Sequence, residues 1–499
     1  MAGSPGPELR TGVELYGQYC SSCHGPSGHG DGSLAYLLYP KPRDFTQGLF
    51  KLRSTPSGEL PTREDLRKTI VNGMPGTAMP SFYFLKDQQI EALVEEVRKL
   101  GGFEQESPRP VSVPGPLPFS GDLVAVGKSV YADLGCHQCH GELGKGDGPS
   151  AGNLKDDWGY PIPVRDFTRG TYVGGGELED LYLRFATGMD GTPMPSYLSM
   201  VEQMGQSEAE RQRLIWGLVY YVKSLETEDA RSRPGGMTPP EDGVVAARKV
   251  FFGRSENYFL DGFNRDWKQA PVNAIPLSRL WQKERDNLSV VTVRALYSRR
   301  FLAVRMEWTD ESRDTGTIRV QDFQDGAAVQ FSLTGEPGFH GMGSRGFPAN
   351  LWFWRSEWEI HRSQMASLDI EQAYPNRASD ADVDTYPETV NEQAYLPGRD
   401  AGSLLSLESI PVSVEDLNAV GPGTLESQPL QDQSVTGKGV WDGNRWTVVF
   451  VRSLKTGSED DIQFKAGGIY PVAFAVWNGS QGDRNGQKMV STWYRLKLE

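Results

Sequence analysis

Residues 20–24 read Cys20-Ser21-Ser22-Cys23-His24, and residues 136–140 read Cys136-His137-Gln138-Cys139-His140. Both are C-x-x-C-H, the spacing at which two thiols add to the vinyl groups of a haem and the next His ligates its iron. The two copies use all four cysteines of the 499-residue chain. A bare C-x-x-C pair would also serve as a redox dithiol or as half of a zinc site. A zinc site would combine the two pairs or add nearby His ligands. Here each pair is followed at once by its own His and has its own Met downstream. Two covalently attached haems c are therefore expected.

The sequence around the motifs is duplicated as well. A helix over 8–22 is predicted to lead into the first motif, with Val13, Tyr16 and Tyr19 spaced along it. After His24 comes the glycine-rich GPSGHGDG, then a loop containing RDFT (Arg43 to Thr46), a short helix over 62–72, GMPGTAMPSF (73–82) and a helix from Asp87 to Leu100. The second unit repeats this order: a helix carrying Leu123, Val126, Val130 and Tyr131, then GELGKGDG, RDFT (Arg165 to Thr168), GMDGTPMPSY (188–197) and a helix near 207–225. Met79 lies 59 positions after Cys20 and Met194 lies 58 after Cys136. Equal order and spacing mark an internal duplication.

Through C-x-x-C-H, G-x-G-D-G and G-M-x-G-T-x-M-P, each unit resembles a class I cytochrome c domain over about 95 residues. The resemblance implies His24 and His140 as fifth iron ligands and Met79 and Met194 as sixth. A thioether is a soft, neutral ligand that favours Fe(II) and raises the potential. With both axial positions filled, such a haem carries electrons and leaves no open site for a substrate. Met74 and Met189, five residues earlier in the same loops, are rivals for the sixth position. His29 and His137 read as loop or surface residues.

Proline punctuates the chain between the units: residues 103–120 hold Pro108, Pro110, Pro114, Pro116 and Pro118 and read as a semi-rigid linker. A second linker is expected at 228–240. The organisation is thus a first cytochrome c domain at 8–102, a second at 121–227, and a third domain at 241–499. The third region has no cysteine and holds ten of the twelve tryptophans. Alternation in 301–308, at Val329, Phe331 and Leu333, at Trp446, Val448 and Phe450, and at Val472, Phe474 and Val476 predicts strands. The fold class expected is multidomain: two all-α cytochrome c domains, then an all-β antiparallel sandwich, with 373–403 and 415–438 as long loops.

Two stretches of this region, AAVQFSLTGEPGFHGMGSRGFPANLWFWRSEW (327–358) and PVAFAVWNGSQGDRNGQKMVSTWYRL (471–496), resemble the haem-b-binding γ subunit of the ethylbenzene dehydrogenase type. That family serves periplasmic molybdenum enzymes of the dimethyl sulfoxide reductase superfamily, among them dimethyl sulfide dehydrogenase, chlorate and selenate reductases and nitrite oxidoreductase. The resemblance implies one non-covalent haem b with Met342 and Lys488 as axial ligands. On residue chemistry alone, Lys488 reads as a solvated loop lysine and Met342 as a packed loop residue. His340, His361 and Met489 are competing ligands. The family's γ subunits consist of the sandwich alone, whereas here two c-type units precede it.

The formal charge of −14 argues against nucleic acid as a partner, and no run of 18 apolar residues predicts a membrane span. The start MAGSPGPELR shows no signal peptide. Covalent haem nevertheless implies a periplasmic or otherwise exported location, with a leader removed or upstream, or with export beside a partner that carries the signal. The expected function is electron transfer, without catalysis in the chain itself. Electrons would pass between the iron–sulfur subunit of a molybdopterin enzyme and an external cytochrome or membrane acceptor. Two alternatives stand beside it: a dihaem cytochrome carrying a ligand-binding sandwich, and a catalytic haem dehydrogenase or peroxidase.

Overall fold

Threonines open two of the first helices. Thr11 and Thr62 each form a capping box, closed by Glu14 and Asp65, at the head of α1 (Gly12–Tyr19) and α3 (Arg63–Asn72). Between them lies the single turn α2 (Ser21–His24), and α4 (Asp87–Leu100) follows. The long helix expected over 8–22 is interrupted at Cys20 (φ −117°). The ladder survives the interruption: Cys20 N–H donates to Tyr16 O (2.9 Å) and His24 N–H to Cys20 O (2.9 Å). In this computed structural model the described residues are 10–170, 172–227, 243–251, 253–279, 289–316, 320–338, 342–364 and 412–499. The chain divides into two units, residues 1–242 with 276–289, and residues 243–275 with 290–499.

The second repeat supplies α5 (Gly121–Asp133), α6 (His137–His140), α7 (Leu178–Thr187), α8 (Leu198–Met204) and α9 (Glu208–Ser224). Helices α5 and α9 cross where both residues are glycine: a Cβ on Gly127 would collide with the Gly217 carbonyl. Helix α1 meets α4 in the same way, with Gly12 against Ala92 O. Each crossing lies beside a core, Leu15, Tyr16, Ile90, Leu93 and Val94 in the first repeat and Val130, Trp216, Leu218 and Val219 in the second. Burying each such side chain contributes about 1.5–3 kcal/mol. The repeats are not wholly helical, since Lys155 and Pro161 form an antiparallel bridge. Residues 103–120 hold no helix or strand and are tied to both repeats. Val111 N–H donates to Ser54 O (2.8 Å), and Tyr220 Oη donates to Leu117 O (2.7 Å).

The other unit is built on strands: β1 (Val244–Lys249), β2 (Asn273–Arg279), β3 (Ser289–Tyr297), β4 (Phe301–Thr309), β5 (Gly326–Ser332), β6 (Ala349–Arg355), β7 (Val414–Ala419), β8 (Glu426–Ser427), β9 (Val435–Trp441), β10 (Arg445–Ser453), β11 (Ile469–Trp477), β12 (Met489–Val490) and β13 (Tyr494–Leu498). They form one hydrogen-bonded network in the order β8-β7-β6-β5-β11-β12-β2-β3-β4-β10-β9, with β1 and β13 attached beside it. The expected antiparallel pairing holds for most of the strands and is corrected at β1. β1 runs parallel to both β13 and β3, and among the described residues the strands belong to a single sheet. Alternation reports which side chains face inward and says nothing of the direction of the neighbouring strand. The sheet rolls until its far strands touch: Ser413 Oγ donates to Gly437 O (2.7 Å) and Gly439 N–H to Glu359 (2.8 Å).

A second correction concerns 415–438, expected as loop. β7, β8 and the start of β9 lie there. The polar run Val414-Glu415-Asp416-Leu417-Asn418-Ala419 hid a strand because its acids are satisfied internally. Asp416, fully buried, accepts from Asn350 Nδ2 (2.7 Å) and Ser434 Oγ (3.2 Å), and Arg452 pairs with Asp461 (3.3 Å) close by. The 228–240 linker and the 373–403 loop lie outside the described residues.

Candidate haem sites

The two C-x-x-C-H turns are held by the same set of contacts twice. One helical turn puts residues i, i+3 and i+4 on one side, so each Cys pair and its His face together. Tyr16 Oη ties the first turn to Gly25 O (2.8 Å), and Tyr131 Oη ties the second to Gly141 O (2.7 Å). His24 Nδ1 bonds Arg43 O at 2.9 Å, and His140 Nδ1 bonds Arg165 O at 3.1 Å. A carbonyl only accepts, so each Nδ1 carries the proton and each Nε2 keeps its lone pair free for a metal. Phe45 stacks on His24 at 4.5 Å and Phe167 on His140 at 4.2 Å, fixing the ring planes. Burial lowers both imidazole pKa values, that of His140 to about 4, so both rings are neutral at pH 7. Burial raises the thiols: Cys20 and Cys136 to about 12 and Cys23 to about 11.

The methionine loops are duplicated bond for bond. In the first, Met74 N–H donates to Met79 O (3.1 Å), Thr77 Oγ1 donates to Met74 O (2.7 Å), and Met79 N–H donates to Thr77 Oγ1 (3.1 Å). In the second, Met189 N–H donates to Met194 O (3.0 Å), Thr192 Oγ1 donates to Met189 O (2.6 Å), and Met194 N–H donates to Thr192 Oγ1 (3.3 Å). Met79 packs on the first core beside Cys20, and Met194 on the second beside Cys136. Cys136, Cys139, His140, Met189 and Met194 line one cavity, so the rival Met189 shares it with Met194. This donor set, two thiols with a neutral imidazole and a thioether around one hollow, fits a covalently held haem. His29 is instead an exposed loop residue near Asp44 (3.7 Å), and His137 contacts Gln138 (2.8 Å).

In the strand unit, Met342 and Lys488 each flank a tight hairpin. Ser344 and Phe347 exchange backbone bonds (3.1 and 2.8 Å), as do Arg484 and Gln487 (3.0 and 2.8 Å). Gly343, next to Met342, has φ +73°, and a Cβ there would press on Phe347 O and Ala419 O, so only glycine fits. Met342 packs with Phe353 on Ala349, Leu351, Leu417 and Ala419. Phe353 touches Trp477 (4.7 Å), and Lys488 Nζ lies over the Trp477 ring (4.8 Å). Lys488 is 8% exposed, and burial lowers its ammonium to about 8. A buried amine within reach of neutrality, over an aromatic ring and with no carboxylate paired to it among the described residues, fits a role as ligand to a haem iron. Met489 pairs with Val476 in β12 and is buried in the sheet. His340 and the side chain of His361 lie outside the described residues.

Sequence reasoning noted RDFT twice but gave it no role. Its arginine carbonyl orients the ligand His and its phenylalanine stacks on that ring. Recurrence of the tetrapeptide in both repeats was the available signal.

Comparison with known proteins follows these boundaries. The family profile described as Cytochrome C oxidase, cbb3-type, subunit III matches residues 7–95, Cytochrome c matches 124–226, and Ethylbenzene dehydrogenase matches 264–489. The chain therefore joins two cytochrome c domains to a C-terminal domain of the ethylbenzene dehydrogenase type. A Haloferax mediterranei protein, provisionally named respiratory nitrate reductase heme subunit ORF7, is 28% identical over 46% of this chain and 65% of its own length. The dimethylsulfide dehydrogenase subunit gamma of Rhodovulum sulfidophilum is 28% identical over 42% of this chain and 60% of its own. The chain thus spans less than two thirds of either relative. A chain of the Kuenenia stuttgartiensis reducing HAO-like protein complex is 40% identical, with a TM-score of 0.41, over 45% of this chain and all of that one.

Proposed function

We propose that the chain is a three-haem electron-transfer subunit. It passes electrons between the iron–sulfur subunit of a molybdopterin enzyme and an external cytochrome or membrane acceptor. Two haems c are held by Cys20, Cys23, His24 and Met79 and by Cys136, Cys139, His140 and Met194. One haem b is held by Met342 and Lys488. The observation that carries this reading is the twice-built turn, in which a backbone carbonyl accepts from each Nδ1–H and a methionine packs on the same core. A haem supplies one-electron chemistry, and the chain's own residues do the rest. They hold both axial positions, keep imidazole and thioether neutral, and exclude a substrate from the iron. The C-terminal domain's relatedness to named γ subunits supports the enzyme partners, and covalent haem supports an exported location. No helix among the described residues is long and apolar enough to cross a membrane, which suits a subunit that docks rather than spans.

The test is a pyridine haemochrome assay on the full chain expressed with a haem-attachment system. Two haems c and one haem b are expected. Two c with no b overturns the haem b assignment, and absence of covalent haem overturns the whole. Co-purification of a molybdopterin subunit and an iron–sulfur subunit from the native host checks the partners.

A further inference from the structure

The cavity around His140 is not closed by its own repeat. Pro40, Lys51, Gly76 and Thr77 of the first repeat complete its wall. Gly76 and Thr77 belong to the loop that carries Met79, so one repeat's methionine loop borders the other's haem site. The arginines of the two RDFT motifs cross over reciprocally. Arg43 stacks on Trp158 (4.3 Å), with its Nη1 against Gly191 in the Met194 loop, while Arg165 Nη2 donates to Pro75 O (3.3 Å) in the Met79 loop.

Within this junction, residues 51–53 are clamped in place. Arg184 Nη2 donates to Arg53 O (2.6 Å) and Nη1 to Lys51 O (3.4 Å), while Arg53 pairs with Asp190 (2.6 Å). Lys51 is therefore delivered to the cavity wall by a fixed backbone. Its Nζ has no hydrogen-bond or ion-pair partner among the described residues, and its electrostatic neighbours include Arg43 and Arg165. Burial beside these two cations pushes its ammonium down to about 7, with Asp156 the opposing charge. A chain of net charge −14 has thus gathered three cations, Lys51, Arg165 and Arg184, in the wall of one hollow. Cations so placed call for an anion, and a haem carries carboxylates on its edge.

We infer that Lys51 of the first repeat holds a carboxylate of the haem seated in the second repeat, so that the second haem site is completed across the domain junction. This rests on the proposed haem c at Cys136 and Cys139. It makes Lys51 a positioning residue that tunes the second haem from the neighbouring domain. A cation beside the haem favours the uncharged, reduced iron centre. Removing it is expected to move the reduced-to-oxidised ratio of that haem about tenfold toward oxidised, ~59 mV lower for a one-electron couple.

The experiment is a spectroelectrochemical titration of the full holoprotein carrying Lys51→Gln, Lys51→Met or Lys51→Arg. A Met194→His background assigns the second haem's wave, because a changed axial ligand displaces it. Haem stoichiometry is checked first by haemochrome: covalent haem missing from the parent chain refutes the parent reading rather than this one. With both haems c present, the Gln and Met variants should lower only the second wave, and Arg should restore it. No shift, an equal shift of both waves, or an Arg variant as low as Gln overturns the inference.

Discussion

Asp190→Ala should loosen the two cytochrome c repeats from each other by an amount that can be worked from their contacts. The Asp190 carboxylate takes Arg53 Nη2 at 2.6 Å, Ser57 Oγ at 2.9 Å and the Gly58 N–H at 2.9 Å, all from the other repeat. The Arg53 side chain is fully buried, and its Nε and Nη1 have no acceptor among the described residues. Without Asp190, the guanidinium keeps only Thr187 O at 2.9 Å. A buried cation stripped of its partner costs about 3–5 kcal/mol. In urea, with slopes of ~1–3 kcal/mol/M, that is a midpoint lowered by about 1–5 M. The assay is urea unfolding followed by haem c absorption. Arg53→Met with Asp190→Ala should recover most of the loss, since it removes the stranded charge as well. A single variant within about 1 kcal/mol of the parent, or a double variant no better than the single, would refute this account of the junction.

Met194→Ala should open one iron of the reduced protein to carbon monoxide, read as a change in the Soret band for one of two haems c. Met79→Ala should do the same for the other, whereas binding by the unaltered protein would favour the catalytic alternative. Lys488→Met and Met342→Ala should each reduce haem b while leaving two haems c per chain by haemochrome, and loss of haem c instead would sink the assignment. Burial, with Asp461 second, raises Asp416 to about 7. A carboxyl raised in the folded state binds its proton more tightly there than when unfolded at ~3.9. Its contribution is therefore full below the unfolded value and is lost as pH rises through the folded one. The strand unit should weaken between about pH 4 and 7, by up to ~1.4 kcal/mol per pH unit, and Asp416→Asn should flatten that slope in urea midpoints.

The cytochrome c repeats were legible because covalent haem attachment demands local sequence. Thiols and His must share one helical turn, and the methionine must follow at a distance set by the same crevice. The glycines at 12, 127 and 217 made no signal of their own, since close helix crossing is a property of two segments far apart in the chain. In the strand unit, alternation located β4, β5, β10 and β11. It missed β7, whose Asp416 looks solvated until Asn350 and Ser434 are brought to it.

Residue spacing alone therefore determined what each repeat holds: two thiols, a His and a candidate Met, twice over. Only the tertiary structure decided how the repeats serve each other. Lys51, Arg43, Arg53 and Asp190 are ordinary charged residues in sequence. They acquire meaning because folding holds the 51–53 strap of one repeat against the other, with Lys51 in the wall of its cavity and Arg53 paired to Asp190. The direction of β1, parallel to both β13 and β3, was likewise decided by the tertiary structure.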